Sequence, residues 1–138
     1  MPVFASIDLG TNTVRLLVAK RDGKGFRPLH SNQVITRLGE ELSNGGILID
    51  KAMERTINTV LKFKDEASKY NPSAIWVVAT SAVREAKNKS DFIKKIKEKT
   101  SIELEVIPWE EEARMTLLGV FSGNLPLPLL NKEGSKGR

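Results

Sequence analysis

The sequence predicts an α/β domain built on a mixed five-stranded sheet with flanking helices, in the order βββαβαβα. Two features of the pattern lead there. Up to residue 39, three short apolar or alternating stretches are separated by tight-turn residues, which marks an antiparallel meander. Beyond residue 50, stretches with helical spacing alternate with short apolar runs, which argues for strand–helix–strand units with parallel pairing and right-handed crossovers.

The elements follow in order. "VFASIDLG" (3–10) is apolar and β-branched and reads as a buried strand, and "TVRLLVAKR" (13–21) reads as a second. "DGKG" (22–25) supplies hairpin-turn chemistry, and "FRPLHSNQVITRLG" (26–39) alternates as a third strand, with Pro28 near its start. After "SNGGILID", Asp50 is expected to cap a helix that carries Ala52, Met53, Ile57, Val60, Leu61, Phe63 and Lys64 at three- and four-residue spacing. It should reach about Tyr70, where Asn71-Pro72 stops it. "SAIWVVAT" (73–80) is a fully buried strand of the parallel type. "SAVREAKN" begins a helix, and "SDFIKKIKEKT" (90–100) forms another, capped by Ser90 or Asp91. "IELEVI" (102–107) alternates as a strand, and "EEEARMTLLGVF" (110–121) has the spacing of an amphipathic helix. Residues 1–121 are therefore expected to form one lobe. Residues 122–138, with no period and two prolines, are expected to form a flexible tail.

Composition narrows the function. With 138 residues, 28% charged and 40% hydrophobic, the chain has the make-up of a globular domain with a proper core. Its apolar runs are far shorter than the ~20 residues needed to cross a bilayer, and the start carries no signal-peptide pattern, so no membrane association is expected. The absence of cysteine excludes disulfides, thiolate nucleophiles and Cys-based metal sites and suits a reducing cytoplasm. One histidine, His30, is too few for a His-rich metal site. The net charge of +5 allows a polyanionic partner, such as nucleic acid or a phosphate chain. The lysines of residues 87–99 read first as a solvated helix face, and aromatics at 6% lack the interleaving that single-stranded nucleic acid requires, so nucleic acid is not expected.

Three strand ends carry chemistry suited to phosphate. In an open sheet with parallel units, ligands bind beyond the carboxyl ends of the strands. If the first strand lies beside the fourth, Asp8-Leu9-Gly10, Ala79-Thr80-Ser81 and Ile107-Pro108-Trp109-Glu110 meet at one crevice. Gly10 permits a close turn, and Thr11, Asn12 and Thr13 add donors to an anion-binding nest. Asp8 could act through Mg²⁺ or orient a water molecule; an Asx-turn is its simpler role. Thr80 or Ser81 can cap the next helix, and Arg84 lies one turn into it. Glu110, Glu111 and Glu112 suit a helix N-terminus through the macrodipole. Successive helical residues are about 100° apart, so one glutamate can face the crevice as a general base.

Together, "FASIDLGTNTVRLLVA", "VVATSAVREAKN" and "EVIPWEEEARMTLLGV" resemble the N-terminal half of the exopolyphosphatase/guanosine-pentaphosphate phosphohydrolase family, over about residues 3–121 and including "TRLGEELSNGGILID". The resemblance implies an actin-like lobe with a ribonuclease-H-like core. It also implies Mg²⁺-dependent release of terminal phosphate from inorganic polyphosphate or guanosine pentaphosphate. By motif position it places the catalytic glutamate on Glu112, the first phosphate loop on Asp8 through Thr13, and a phosphate-contacting arginine on Arg84. Arg15 matches a further frequent arginine, although an outward residue on a strand explains it more simply. Two departures stand out. Pro108-Trp109 replaces the family's usual Ser-Gly, which bears on the loop that aims Glu112. The family's second, glycine-rich phosphate loop does not follow Glu112 in this sequence.

The expectation is one lobe of a two-lobed enzyme, weak or inactive by itself. It would be completed by a separately encoded C-terminal lobe or by self-association. A non-catalytic phosphate- or polyphosphate-binding subunit and an ATP-binding actin-like lobe are the alternatives.

Overall fold

The computed structural model describes residues 2–23 and 25–107. Strands β1 (Val3–Leu9), β2 (Thr13–Asp22) and β3 (Gly25–Ile35) form the expected meander, each antiparallel to the next. Helix α1 (Asp50–Ser68) crosses to β4 (Ala74–Ala79), which pairs parallel with β1. Helices α2 (Ser81–Glu85) and α3 (Lys89–Thr100) lead to β5 (Leu104–Val106), parallel to β4. The mixed five-stranded sheet has the order β3-β2-β1-β4-β5. The expected helix over 110–121 and the expected tail over 122–138 lie outside the described residues.

Alternation on β1 sets the layers. Ala5, Ile7 and Leu9 are buried completely and share one core with α1 and α3. α1 turns Met53, Ile57, Val60, Phe63 and Ala67 toward it, the three- and four-residue spacing of a single helical stripe. α3 contributes Phe92 and Ile96, one turn apart. On the other sheet face, Phe4 packs against Trp76 at 5.5 Å and edge-on to Phe26 at 5.8 Å. Lys94, Lys97 and Lys99 are exposed on α3, which is the solvated face the sequence suggested.

Three local expectations fail for identifiable reasons. The third strand stops at Ile35 rather than Gly39, because the N–H groups of Thr36 and Arg37 both turn to the carbonyl of Asn12, at 2.9 and 3.1 Å. Asp50 is the first residue inside α1, whose N-cap position is Ile49; its charge there still suits the helix dipole. Neither Ser90 nor Asp91 caps α3. Asn88 holds the N-cap position, and its amide instead pairs with both backbone groups of Leu48, accepting at 2.9 Å and donating at 3.0 Å. The stop after α1 is the expected one, with Asn71 left-handed (φ 50°) before Pro72. Among the described residues, no helix is long and apolar enough to cross a membrane.

A polar clasp joins the edge strand to α1. Glu66 accepts from the His30 ring at 2.8 Å and from the Asn32 amide at 3.1 and 3.2 Å, while His30 stacks on Tyr70. The His30 hydrogen bond, aided by Asn32, holds the Glu66 carboxyl below the usual carboxylate range, against the opposing effect of burial. A lowered folded value means that this contribution to stability is complete above the unfolded glutamate pKa of about 4.3 and is lost as pH falls through the folded value. Urea denaturation at pH 6 and pH 3.5 is therefore expected to show a smaller acid loss for Glu66→Gln than for the wild type. Equal losses would assign the acid sensitivity to other carboxylates.

Candidate functional site

Because β1 and β4 run in parallel, the loops that follow them leave from the same sheet edge. The first loop is a tight turn closed by the N–H of Gly10 donating to the carbonyl of Thr13 at 3.0 Å. A Cβ on Gly10 would meet that same carbonyl oxygen at 3.0 Å, so glycine suits the close approach. The second loop is Thr80 at the N-cap of α2. Thr11 Oγ1 and Ser81 Oγ lie 2.9 Å apart, so the two loops touch through their hydroxyls across 70 residues of sequence. Asn12 stands exposed at the tip. The N–H groups of Thr11 and Asn12 donate to no backbone carbonyl among the described residues. The first N–H groups of a helix likewise have no partner within it. This edge therefore gathers backbone donors and two hydroxyls, a set that suits an anion.

The third strand end reaches the same edge. Ile107 donates its N–H to Ala79 at 2.9 Å, and its carbonyl accepts from Arg84 Nη1 at 3.1 Å. Arg84 thus bridges α2 to the point where the chain leaves β5. Glu112 lies outside the described residues.

Asp8 and Arg15 face each other in register across β1 and β2. Asp8 is half-buried, with Oδ1 shielded from solvent, whereas Arg15 is exposed. Asp8 is the penultimate residue of β1, just before the Gly10 turn. Among the described residues, no group of three or more His, Cys, Asp or Glu side chains could hold a metal ion. One carboxylate does not make a protein cage. It fits the mode in which Mg²⁺ keeps its waters and takes its other ligands from a phosphate.

Sequence reading assigned no role to the segment after β3, yet that segment supports the turn. The N–H of Gly39 donates to Thr11 O at 2.9 Å, and a Cβ on Gly39 would fall 2.5 Å from Thr11 Cγ2. Thr11, Gly39, Leu42, Ser43, Gly46 and Glu85 line a cavity of about 410 Å³ beside the Thr11–Ser81 contact. The available signal was the glycine closing "TRLG", which looked like the end of a strand. Thr11 cannot rotate its methyl away without giving up the Ser81 hydrogen bond, because a β-branched side chain has few χ1 options. Gly39→Ala is therefore expected to destabilise by about 1–3 kcal/mol, the usual cost of overpacking. Adding Thr11→Ser, which removes the methyl and keeps the hydroxyl, should recover most of that loss in a chemical-denaturation double-mutant cycle. Additive losses would mean that the two residues do not meet.

Comparison with known proteins agrees with this frame. The Ppx/GppA phosphatase family profile matches residues 16–126. A bifunctional 3-dehydroquinate synthase/phosphatase of Fusobacterium nucleatum is 35% identical over 125 residues, covering 86% of this chain and 19% of that protein. Exopolyphosphatase 1 of Mycobacterium tuberculosis is 32% identical over 115 residues, covering 83% of this chain and 33% of that one. The chain therefore spans a third or less of the length of these curated relatives. Among solved structures, the Aquifex aeolicus Ppx/GppA phosphatase superimposes with a TM-score of 0.79 at 32% identity, over 88% of this chain and 41% of that one. An exopolyphosphatase from Cytophaga hutchinsonii superimposes with a TM-score of 0.81 at 30% identity, over 87% and 38%. With most of its length matched by the profile, and with the sheet order and crossovers of an actin-like lobe, this chain belongs to the Ppx/GppA phosphatase family.

Proposed function

We propose that this chain is the phosphate-binding N-terminal lobe of a phosphatase that releases terminal phosphate from inorganic polyphosphate or guanosine pentaphosphate. The observation that carries this reading is the Thr11–Ser81 contact, which joins two donor-rich loops at the carboxyl edge of parallel strands. The exopolyphosphatase names of several relatives support the substrate class.

In this reading the turn of Gly10, Thr11, Asn12 and Thr13 holds the phosphate through backbone N–H groups and hydroxyls, with Ser81 completing the cradle. Arg84 supplies a planar donor from α2, and Arg15 contributes positive charge from the neighbouring strand. Asp8 would be the carboxylate that holds Mg²⁺, which when bound would offset phosphate charge. Glu112 takes a proton from water as it attacks the terminal phosphorus, the phosphoanhydride P–O bond breaks, and the shortened chain leaves. The exposed position of Asn12 leaves this shelf open to water, where positioned donors and charges are worth less than in a closed cleft. Turnover by these 138 residues alone is therefore slow, and a second lobe, whether separately encoded or a second copy, would raise it.

An amide NMR titration of the full chain with tripolyphosphate and Mg²⁺ tests the reading. Saturable shifts confined to residues 10–13 and 81–84 are expected, with binding weakened about tenfold in the Thr11→Ala, Ser81→Ala double variant. Hydrolysis of long polyphosphate by the chain alone should be marginal and absent in Glu112→Gln. Shifts elsewhere, no shifts at all, or equal response to ATP without preference for polyphosphate would overturn it.

A further inference from the structure

We propose that Arg55, on α1 and outside the phosphate cradle, is a positioning residue that sets the conformation of the 10–13 turn through the segment 36–40. The inference rests on the phosphate-binding reading of that turn, and its structural half stands on hydrogen bonds alone.

The connection has two links. Arg55 Nε donates to the carbonyl of Thr36 at 2.9 Å, and Nη2 donates to Arg37 O at 3.4 Å and to the Glu40 carboxylate. One guanidinium therefore grips two consecutive carbonyls and an acidic side chain of the same loop. That loop in turn grips the candidate turn. Thr36 and Arg37 donate their N–H groups to Asn12 O, and Gly39 donates to Thr11 O. With both carbonyls of the tip bound from one side, the peptide planes that carry the neighbouring N–H groups are fixed as well.

Two further observations show that the loop needs an external hold. Arg37 sits at φ 52°, a left-handed conformation that a non-glycine residue keeps only when its surroundings impose it. Arg55 binds the carbonyls on both sides of that residue's Cα. Thr36, only 1% exposed, has a buried hydroxyl with no hydrogen-bond partner among the described residues. Its side chain thus adds no polar anchor, and its backbone carries the contacts. A lysine at position 55 cannot reproduce this arrangement, because a single ammonium lacks the planar fork that reaches several acceptors in fixed geometry.

The test uses the full chain with Arg55→Ala, Arg55→Lys and Glu40→Gln. Amide hydrogen exchange reads the positioning role, and NMR titration with tripolyphosphate and Mg²⁺ reads its consequence. Arg55→Ala is expected to speed exchange at Thr36, Arg37 and Gly39 at least tenfold while Ile7 and Val77 change less than twofold. It should also weaken tripolyphosphate binding at least fivefold. Arg55→Lys should restore little of either, and Glu40→Gln, which keeps both carbonyl contacts, should change both by less than threefold. Should Arg55→Ala fail to fold, Arg55→Lys carries the same expectations. Unchanged exchange at 36–39, or a uniform rise across the sheet, would overturn the positioning role. Local exchange that rises as expected in a chain whose wild type binds no tripolyphosphate would retain Arg55 as the hold on the turn and would instead overturn the phosphate reading.

Discussion

Parallel pairing of β1 with β4, Phe4–Leu9 beside Ala74–Ala79, is the constraint on which the site depends. Two strands so far apart in sequence can run the same way only if the chain returns across the sheet, and α1 provides that return. The apolar stripe of α1 fastens the crossover to the buried face of β1 and β2. Reversing β4 would carry Ser81 to the far end of a six-residue strand, about 20 Å from Thr11. Every donor attributed to the crevice after that point in the chain inherits its position from this one pairing.

The remaining architecture serves to hold irregular backbone still at that edge. Turns carry few buried apolar contacts and would otherwise be mobile. Here the carbonyls of Thr11 and Asn12 are taken up by the 36–39 backbone, that backbone is gripped by Arg55, and the next stretch is tied at Leu48 by the amide of Asn88. Gly39 allows the two loops to approach more closely than any side chain would permit. The donor set facing outward is then largely backbone, fixed in geometry and independent of pH. Arg84 is committed to Ile107 O by at least one nitrogen, so the part proposed for it in the crevice would be coupled to the position of the chain leaving β5.

Charge plays two separate roles in this chain. The lysines of α3 face solvent, and their ion pairs, Lys95 with Asp50 and Lys97 with Glu103, are exposed and worth little. The basic net charge therefore reports solvation and general attraction for polyanions more than a site. In the proposed site, specific geometry comes instead from the strand carboxylate of Asp8 and from arginines such as Arg55 and Arg84, whose side chains donate to backbone carbonyls. The family profile covers residues 16–126, which takes in most of β2, the strands β3 to β5 and the loop after β4, whereas β1 and the 10–13 turn precede the matched residues.

How much of this the sequence carried can be read residue by residue. Apolar patterning and turn residues marked the strands and the long helix, because burial of one face imposes a period of two or 3.6 whatever the tertiary context, and Asn71-Pro72 marked the helix stop. The loops after β1 and β4 were legible as candidate phosphate loops because Gly, Thr, Asn and Ser have few other reasons to interrupt apolar runs. Only the folded chain decided that Thr11 meets Ser81, that the third strand stops at Ile35, and that Asn88 pairs with Leu48 rather than capping α3. The roles of Gly39 and Arg55 were not legible for the same reason: the partners that define them lie 15 or more positions away and are mostly backbone atoms, which every residue possesses and no local pattern marks. Local spacing records which face a residue turns to the core; which loop it then touches depends on strand order, and that exists only once the sheet has formed.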